Sequence, residues 1–125
     1  MEVSKRLEMV AGLVTQERIA DIGTDHGYVP IYLYQKGKIK KAYACDVRKG
    51  PLEKCRRNIA LYGAADVIET RLGSGLTPLR IGEAETAVMA GMGGMLIVHI
   101  LQESPEVAAS LRELVLSPQR DFGEV

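Results

Sequence analysis

Cysteine is scarce in this chain of 125 residues: Cys45 and Cys55 are the two present, they lack a metal-ligand spacing, and lone thiols of this kind suit a reducing compartment. Cys45 falls in an expected strand and reads as core. Cys55 has helical neighbours and no nucleophilic partner in the sequence. No apolar run approaches the roughly 20 residues that a membrane-spanning helix needs. The charged opening Met1-Glu-Val-Ser-Lys-Arg6 does not resemble a signal peptide, so a cytoplasmic protein without a membrane partner is expected. Internal repeats, low-complexity tracts and linkers are also missing. With 46% hydrophobic and 26% charged residues, one compact domain over residues 1–125 is expected. The formal net charge is zero, which on its face speaks against a nucleic-acid partner.

What is present is a strand that runs into a glycine-punctuated turn: Arg18-Ile-Ala-Asp-Ile-Gly-Thr-Asp-His-Gly-Tyr28. Gly23 and Gly27 free the backbone for turn conformations and leave no side chain between main chain and ligand, and a helix is expected to start near Tyr28. The pattern is D-x-G-x-D-x-G. A dinucleotide fingerprint would read G-x-G-x-x-G, with bare amides facing a pyrophosphate. Here Asp25 and His26 occupy that place, and a carboxylate repels phosphate charge. S-adenosylmethionine carries an ammonium and a sulfonium and no phosphate, so a loop with Asp21 and Asp25 on its two sides suits it better. An NAD-binding Rossmann domain of an oxidoreductase stays open at this point, as does a non-catalytic module that senses S-adenosylmethionine.

Asp46 closes the segment Lys-Lys-Ala-Tyr-Ala-Cys-Asp, 23 residues after Gly23. An acid about 20 residues past the glycine turn, at the end of the second strand, is placed to accept ribose hydroxyls. Its alternative is a helix cap, although Gly50-Pro51 reads as the better helix start. The zero net charge conceals an asymmetry. Between Lys36 and Arg57 nine basic residues face two acids, a local balance of +7 against −7 elsewhere, which can steer a polyanion. A solvated helix face explains the same charges, and no aromatic interleaving marks a base-stacking platform.

Short apolar runs alternate with longer amphipathic ones, the pattern of a parallel sheet with helices on both faces. Ser4 to Val14 reads as an opening helix through Leu7, Val10, Ala11 and Val14. Strands are expected at 18–22, 42–46, 67–72, 86–90 and 113–116. Helices are expected at 29–36, 51–62, 95–102 and 105–111.

In order along the chain, Asp21-Ile-Gly-Thr-Asp-His-Gly-Tyr-Val-Pro30, Gly50-Pro51, Gly73-Ser-Gly-Leu76, Ala90-Gly-Met-Gly-Gly94 and Leu116-Ser-Pro-Gln119 resemble the bacterial TrmK-type tRNA adenine-N1 methyltransferases, which act on adenine 22 of tRNA. The resemblance begins at Ser4-Lys-Arg-Leu7 and implies a Rossmann-like class I methyltransferase fold using S-adenosylmethionine. That fold ends with two further strands, and TrmK-like proteins are expected to add a helical, coiled-coil-like segment that helps hold tRNA. A chain stopping at Asp121-Phe-Gly-Glu-Val125 is therefore expected to be truncated before the last two strands, the N-terminal part of a longer protein.

The resemblance assigns the donor to Asp21, Gly23, Thr24, Asp25, Gly27, Asp46, Val47, Gly73, Ser74, Gly75, Ala90 and Gly91, and the chemistry to Asp25, His26, Gly91 and Met92, with no metal. Ser74 stands where related enzymes carry an acid or amide for the adenine N6 group, and a neutral hydroxyl contributes less than a charged acceptor; a turn without a ligand role is the alternative for Gly73 to Gly75. Gly91 to Gly94 would let a flat base approach the main chain, with Met92 packing on it, or would serve tight strand–helix packing. Adenine N1 has an in-plane lone pair and needs positioning more than deprotonation. Asp25 or His26 would then assist loss of the N6 proton, histidine being the side chain that titrates near neutrality; for His26 a helix-start hydrogen bond to backbone is the alternative. His99, between Val98 and Ile100, reads as structural.

Overall fold

The computed structural model describes residues 4–118, so Gln119 and the closing Asp121 to Val125 lie outside the described residues. The chain runs α1 (Lys5–Gly12), β1 (Arg18–Ile22), α2 (Tyr28–Gln35), β2 (Lys41–Asp46), α3 (Lys49–Leu61), β3 (Ile68–Leu72), β4 (Thr86–Met92), α4 (Gly94–Glu103), α5 (Pro105–Ser110) and β5 (Glu113–Pro118). The five strands form one sheet in the order β3-β2-β1-β4-β5, and every neighbouring pair is parallel.

Period-two alternation sorts the strand residues between two helical layers. Ile19, Ala42, Ala44 and Val88 face a core shared with Val10 and Ala11 of α1, Ile31 and Leu33 of α2, and Leu52, Cys55 and Ile59 of α3. Ala20, Ile22, Tyr43, Cys45, Ala87 and Met89 face the other layer, where Leu76, Leu79 and the α4 residues Ile97 and Ile100 close over them. Both cysteines are buried. Burial pushes the Cys45 thiol up to about 12 and that of Cys55 to about 11, which leaves them as inert core groups.

Three local departures from the sequence pattern have simple causes. Ser4 is the N-cap of α1, its hydroxyl accepting the Leu7 N–H at 3.1 Å. Helix α3 begins at Lys49 and not at Pro51, because a proline in the first turn gives up an N–H that has no helical partner. Strand β4 continues past Ala90 to Met92, across a register shift against β5, with Gly91 at φ 76° absorbing the bulge.

The basic stretch does not form one surface. Lys40 and Lys41 lie at the amino ends of the strands and pair at 3.5 Å with Glu17 and Glu69, on the opposite side of the molecule from the turns that follow β1 and β2. Arg48, Lys49, Lys54, Arg56 and Arg57 belong instead to the start and outer face of α3, all exposed.

Candidate donor-binding site

The strand order reverses between β1 and β4, and a parallel sheet opens a crevice at the carboxyl ends of its strands at that point. The turn after β1 supplies its floor. Gly23, Asp25 and Gly27 all have positive φ, of 70°, 57° and 81°, and Asp25 is the non-glycine among them, an aspartate tolerating the left-handed region better than most side chains. The Thr24 N–H donates to the Cys45 carbonyl at 2.8 Å. Asp46, 3% exposed, accepts the Asp25 N–H through Oδ2 and the Arg48 N–H through Oδ1, each at 2.9 Å. One buried carboxylate thus fastens the β1 turn to the β2 turn, and each of its oxygens keeps a further lone pair for a ligand hydroxyl.

Asp21 is buried, and the Thr24 hydroxyl donates to its Oδ2 at 2.8 Å. Desolvation raises its pKa to about 7; the Thr24 bond opposes the rise, and the charges of Asp46 and Asp25 add to it. Three carboxyl groups around one turn make a site for a cation. At the rim Oδ1 of Asp25 lies 3.7 Å from the Arg48 guanidinium and 3.9 Å from Nε2 of His26. The His26 ring meets Tyr28 edge to face at 5.7 Å. Its carbonyl accepts from the Asn58 amide at 2.9 Å.

The crevice has two lobes of about 280 Å³ each, and Gly23 lines both. The first holds Asp21, Thr24, Asp25, His26, Ala90 and Gly91 of the expected site. The second holds Asp46, Val47, Gly73, Ser74, Gly75 and Met92. Gly91 and Met92 are therefore separated: the bulge turns Gly91 to the first lobe and Met92 to the second, where its Cε lies 3.0 Å from where a Cβ on Gly23 would sit. Gly27 lines neither lobe. It is buried at the start of α2, and a Cβ there would come within 2.5 Å of the Cys55 sulfur, so its demand for glycine comes from helix packing and from its positive φ.

The methyltransferase-domain family model matches residues 3–125. The chain belongs to the methyltransferase-domain family. It is 36% identical over 119 residues to the tRNA (adenine(22)-N(1))-methyltransferase of Bacillus subtilis, covering 94% of this chain and 50% of that protein. The Streptococcus pneumoniae protein Sp1610, solved in complex with S-adenosyl-L-methionine, superposes with a TM-score of 0.90 at 37% identity over 98% of this chain and 58% of that one. TrmK of M. capricolum, solved with S-adenosyl-homocysteine, gives 0.74 at 38% identity over 82% of this chain and 47% of that one. The likeness is thus of the TrmK type, and the chain spans about half the length of the relatives it matches.

Both lobes are lined by further residues beyond those expected to hold the donor. Arg6, Leu7 and Val10 of α1, with Tyr28 and Val29, line the first lobe. Leu96, His99, Ile100 and Glu103 of α4 line the second, and His99 is exposed there, contrary to its reading as a structural residue. Their spacing is i, i+3, i+4, i+7, one face of a helix, and that periodicity marks His99 as a neighbour of Leu96 and Ile100. Nothing equivalent marks Arg6, because its place depends on how α1 packs over the sheet. Among the described residues no group of three His, Cys, Asp or Glu side chains is placed to hold a metal, and no helix is long and apolar enough to cross a membrane.

Proposed function

We propose that this methyltransferase domain binds S-adenosylmethionine and, within a longer protein, directs its methyl group to N1 of adenine 22 in tRNA. The observation that carries the reading is the two-lobed crevice, with Asp21 and Asp25 on one side of Gly23 and, on the other, a slot in which Val47, Met92, Leu96 and Ile100 stand beside Asp46 and Glu103. The donor set fits the ligand. Asp21, Asp25 and Asp46 complement its cationic amino-acid end and ribose hydroxyls, while Val47, Met92, Leu96 and Ile100 suit a flat adenine. The same carboxylates would repel the pyrophosphate of NAD, which speaks against the oxidoreductase alternative.

When bound, the donor supplies a methyl group activated on a sulfonium. The chain's own work is orientation: Gly23 keeps the space between the lobes clear, and Ala90 and Gly91 border the first lobe where a target base would enter. Methylation at N1 leaves the adenine cationic, and Asp25 and His26 on the rim are the acceptors proposed for the N6 proton. The exposed cations of α3, Lys49, Lys54 and Arg57, are proposed to meet the tRNA backbone. A cytoplasmic location is part of the same proposal, since tRNA is the substrate.

Incubating the full-length protein with labelled S-adenosylmethionine and tRNA transcripts carrying adenine or guanine at position 22 tests this. Label confined to the adenine transcript is the expected result. Donor binding with no transfer to either transcript would point instead to a module that senses S-adenosylmethionine.

A further inference from the structure

The tyrosines of this chain are not used alike. Tyr43 is buried under the Arg71 guanidinium, which lies 4.4 Å from its ring centre, and the Tyr34 hydroxyl donates to the Gly63 carbonyl at 3.1 Å. Tyr28 and Tyr32 have neither duty. Tyr28 is 47% exposed and Tyr32 is half-buried, its inner edge packed on the core. Four residues apart, they stand one above the other on the outward face of α2, about 6 Å along its axis, while Pro30, Ile31 and Leu33 turn inward.

Cations, not acids, accompany this stripe. Helix α2 reads Tyr-Val-Pro-Ile-Tyr-Leu-Tyr-Gln and carries no carboxylate. At its far end the exposed Lys36 sets Nζ 5.4 Å from the centre of the Tyr32 ring. At its start His26 meets Tyr28 edge to face, and both line the first lobe. The stripe therefore begins at the rim where the target base is proposed to enter and leads away from it down the flank of the molecule. Two rings one helical turn apart with an ammonium beyond them match a single nucleic-acid strand, whose bases stack on aromatic faces and whose phosphates take a cation. The Lys36 contact with Tyr32 is an exposed cation–π pair, weak enough for a base to take over the ring while the ammonium turns to a phosphate.

We propose that the outward face of α2 is a stacking track for unpaired RNA bases beside the methylated adenine, with Tyr28 and Tyr32 as successive platforms and Lys36 as the phosphate contact. The proposal rests on the tRNA reading above and extends the RNA surface from the cations of α3 to α2.

The test is steady-state methylation of tRNA by the full-length protein, comparing wild type with Tyr32→Leu, Tyr32→Phe and Lys36→Ala, with the affinity of each for S-adenosylhomocysteine measured alongside. Leucine keeps an apolar side chain against the core and removes the ring; phenylalanine keeps the ring. Tyr32→Leu is expected to raise KM for tRNA about 5- to 100-fold, with kcat and S-adenosylhomocysteine affinity within about twofold of wild type, and Tyr32→Phe to leave all three unchanged. Lys36→Ala should raise KM a few-fold and lower the slope of log KM against log salt by about one. A transcript made abasic beside the target adenine should raise the wild-type KM and abolish the difference between wild type and Tyr32→Leu. An unchanged KM in Tyr32→Leu would overturn the track, as would equal losses in Tyr32→Leu and Tyr32→Phe or a parallel loss of S-adenosylhomocysteine affinity, which would reduce Tyr32 to packing; all three leave the methyltransferase reading intact. A wild-type protein that binds S-adenosylhomocysteine and transfers no methyl group to tRNA would overturn that reading and the track with it.

Discussion

The two lobes share Gly23 and differ in nearly everything else. The first is lined by Asp21, Asp25, His26 and Arg6, the second by Val47, Met92, Leu96, Ile100 and three glycines together with Asp46, His99 and Glu103. A ligand spanning both meets charges of both signs in the first lobe and apolar side chains with two carboxyl groups in the second. The contrast explains why glycines cluster on the second side: a Cβ on Gly75 would lie 3.1 Å from Ile100, and one on Gly73 would lie 2.6 Å from Pro78, so the slot is shaped by packing while the first lobe is shaped by hydrogen bonds.

The contrast breaks most severely if the shared support fails. Gly27→Ala should destabilise the fold by about 2–4 kcal/mol, from overpacking on Cys55 and a strained positive φ, and weaken ligands of either lobe together. Cys55→Ala in the same chain should recover part of the loss in urea unfolding. Asp46→Ala comes next. Two backbone N–H groups lose their acceptor, and the affinity for S-adenosylhomocysteine should fall at least about 100-fold, with 5′-methylthioadenosine, which lacks the amino-acid end, falling alongside because the tie joins both lobes.

The first lobe responds to pH through Asp21. Asp21 titrates near 7 in the fold and near 4 when unfolded. Between those values the folded state holds the extra proton, so stability falls as pH rises from about 4 to 7, and the penalty is complete above 7. Asp21→Asn should flatten that slope in denaturation curves. Ligand binding runs the other way: a cation favours the ionised carboxylate, so S-adenosylhomocysteine should bind more tightly as pH rises through 7 while methylthioadenosine changes little. Asp25→Asn, which keeps a side chain that tolerates φ 57°, should cost S-adenosylhomocysteine about tenfold and spare methylthioadenosine. Met92→Ala should have the smallest effect, a few-fold weakening of both ligands from lost contact in the slot.

Much of this was legible in the chain. The five strands and the helices between them follow from the alternation of apolar runs, and Asp21, Asp25 and Asp46 announce themselves by standing at strand ends and in a glycine turn. Harder to read was what depends on three dimensions. Gly27 looks like a ligand glycine and serves a sulfur atom of α3. The lysines at 36–41 look continuous with the α3 cations, yet a strand carries the chain from one side of the sheet to the other between them. Arg6 sits 15 residues before Asp21 and reaches the same lobe because α1 folds back over the strands.

The most direct test of the donor assignment is a calorimetric titration of this chain with S-adenosylhomocysteine and, in parallel, with NAD. Saturable binding of S-adenosylhomocysteine and no heat from NAD is the predicted result. NAD binding in its place would contradict the account, because a pyrophosphate would then be seated among Asp21, Asp25 and Asp46.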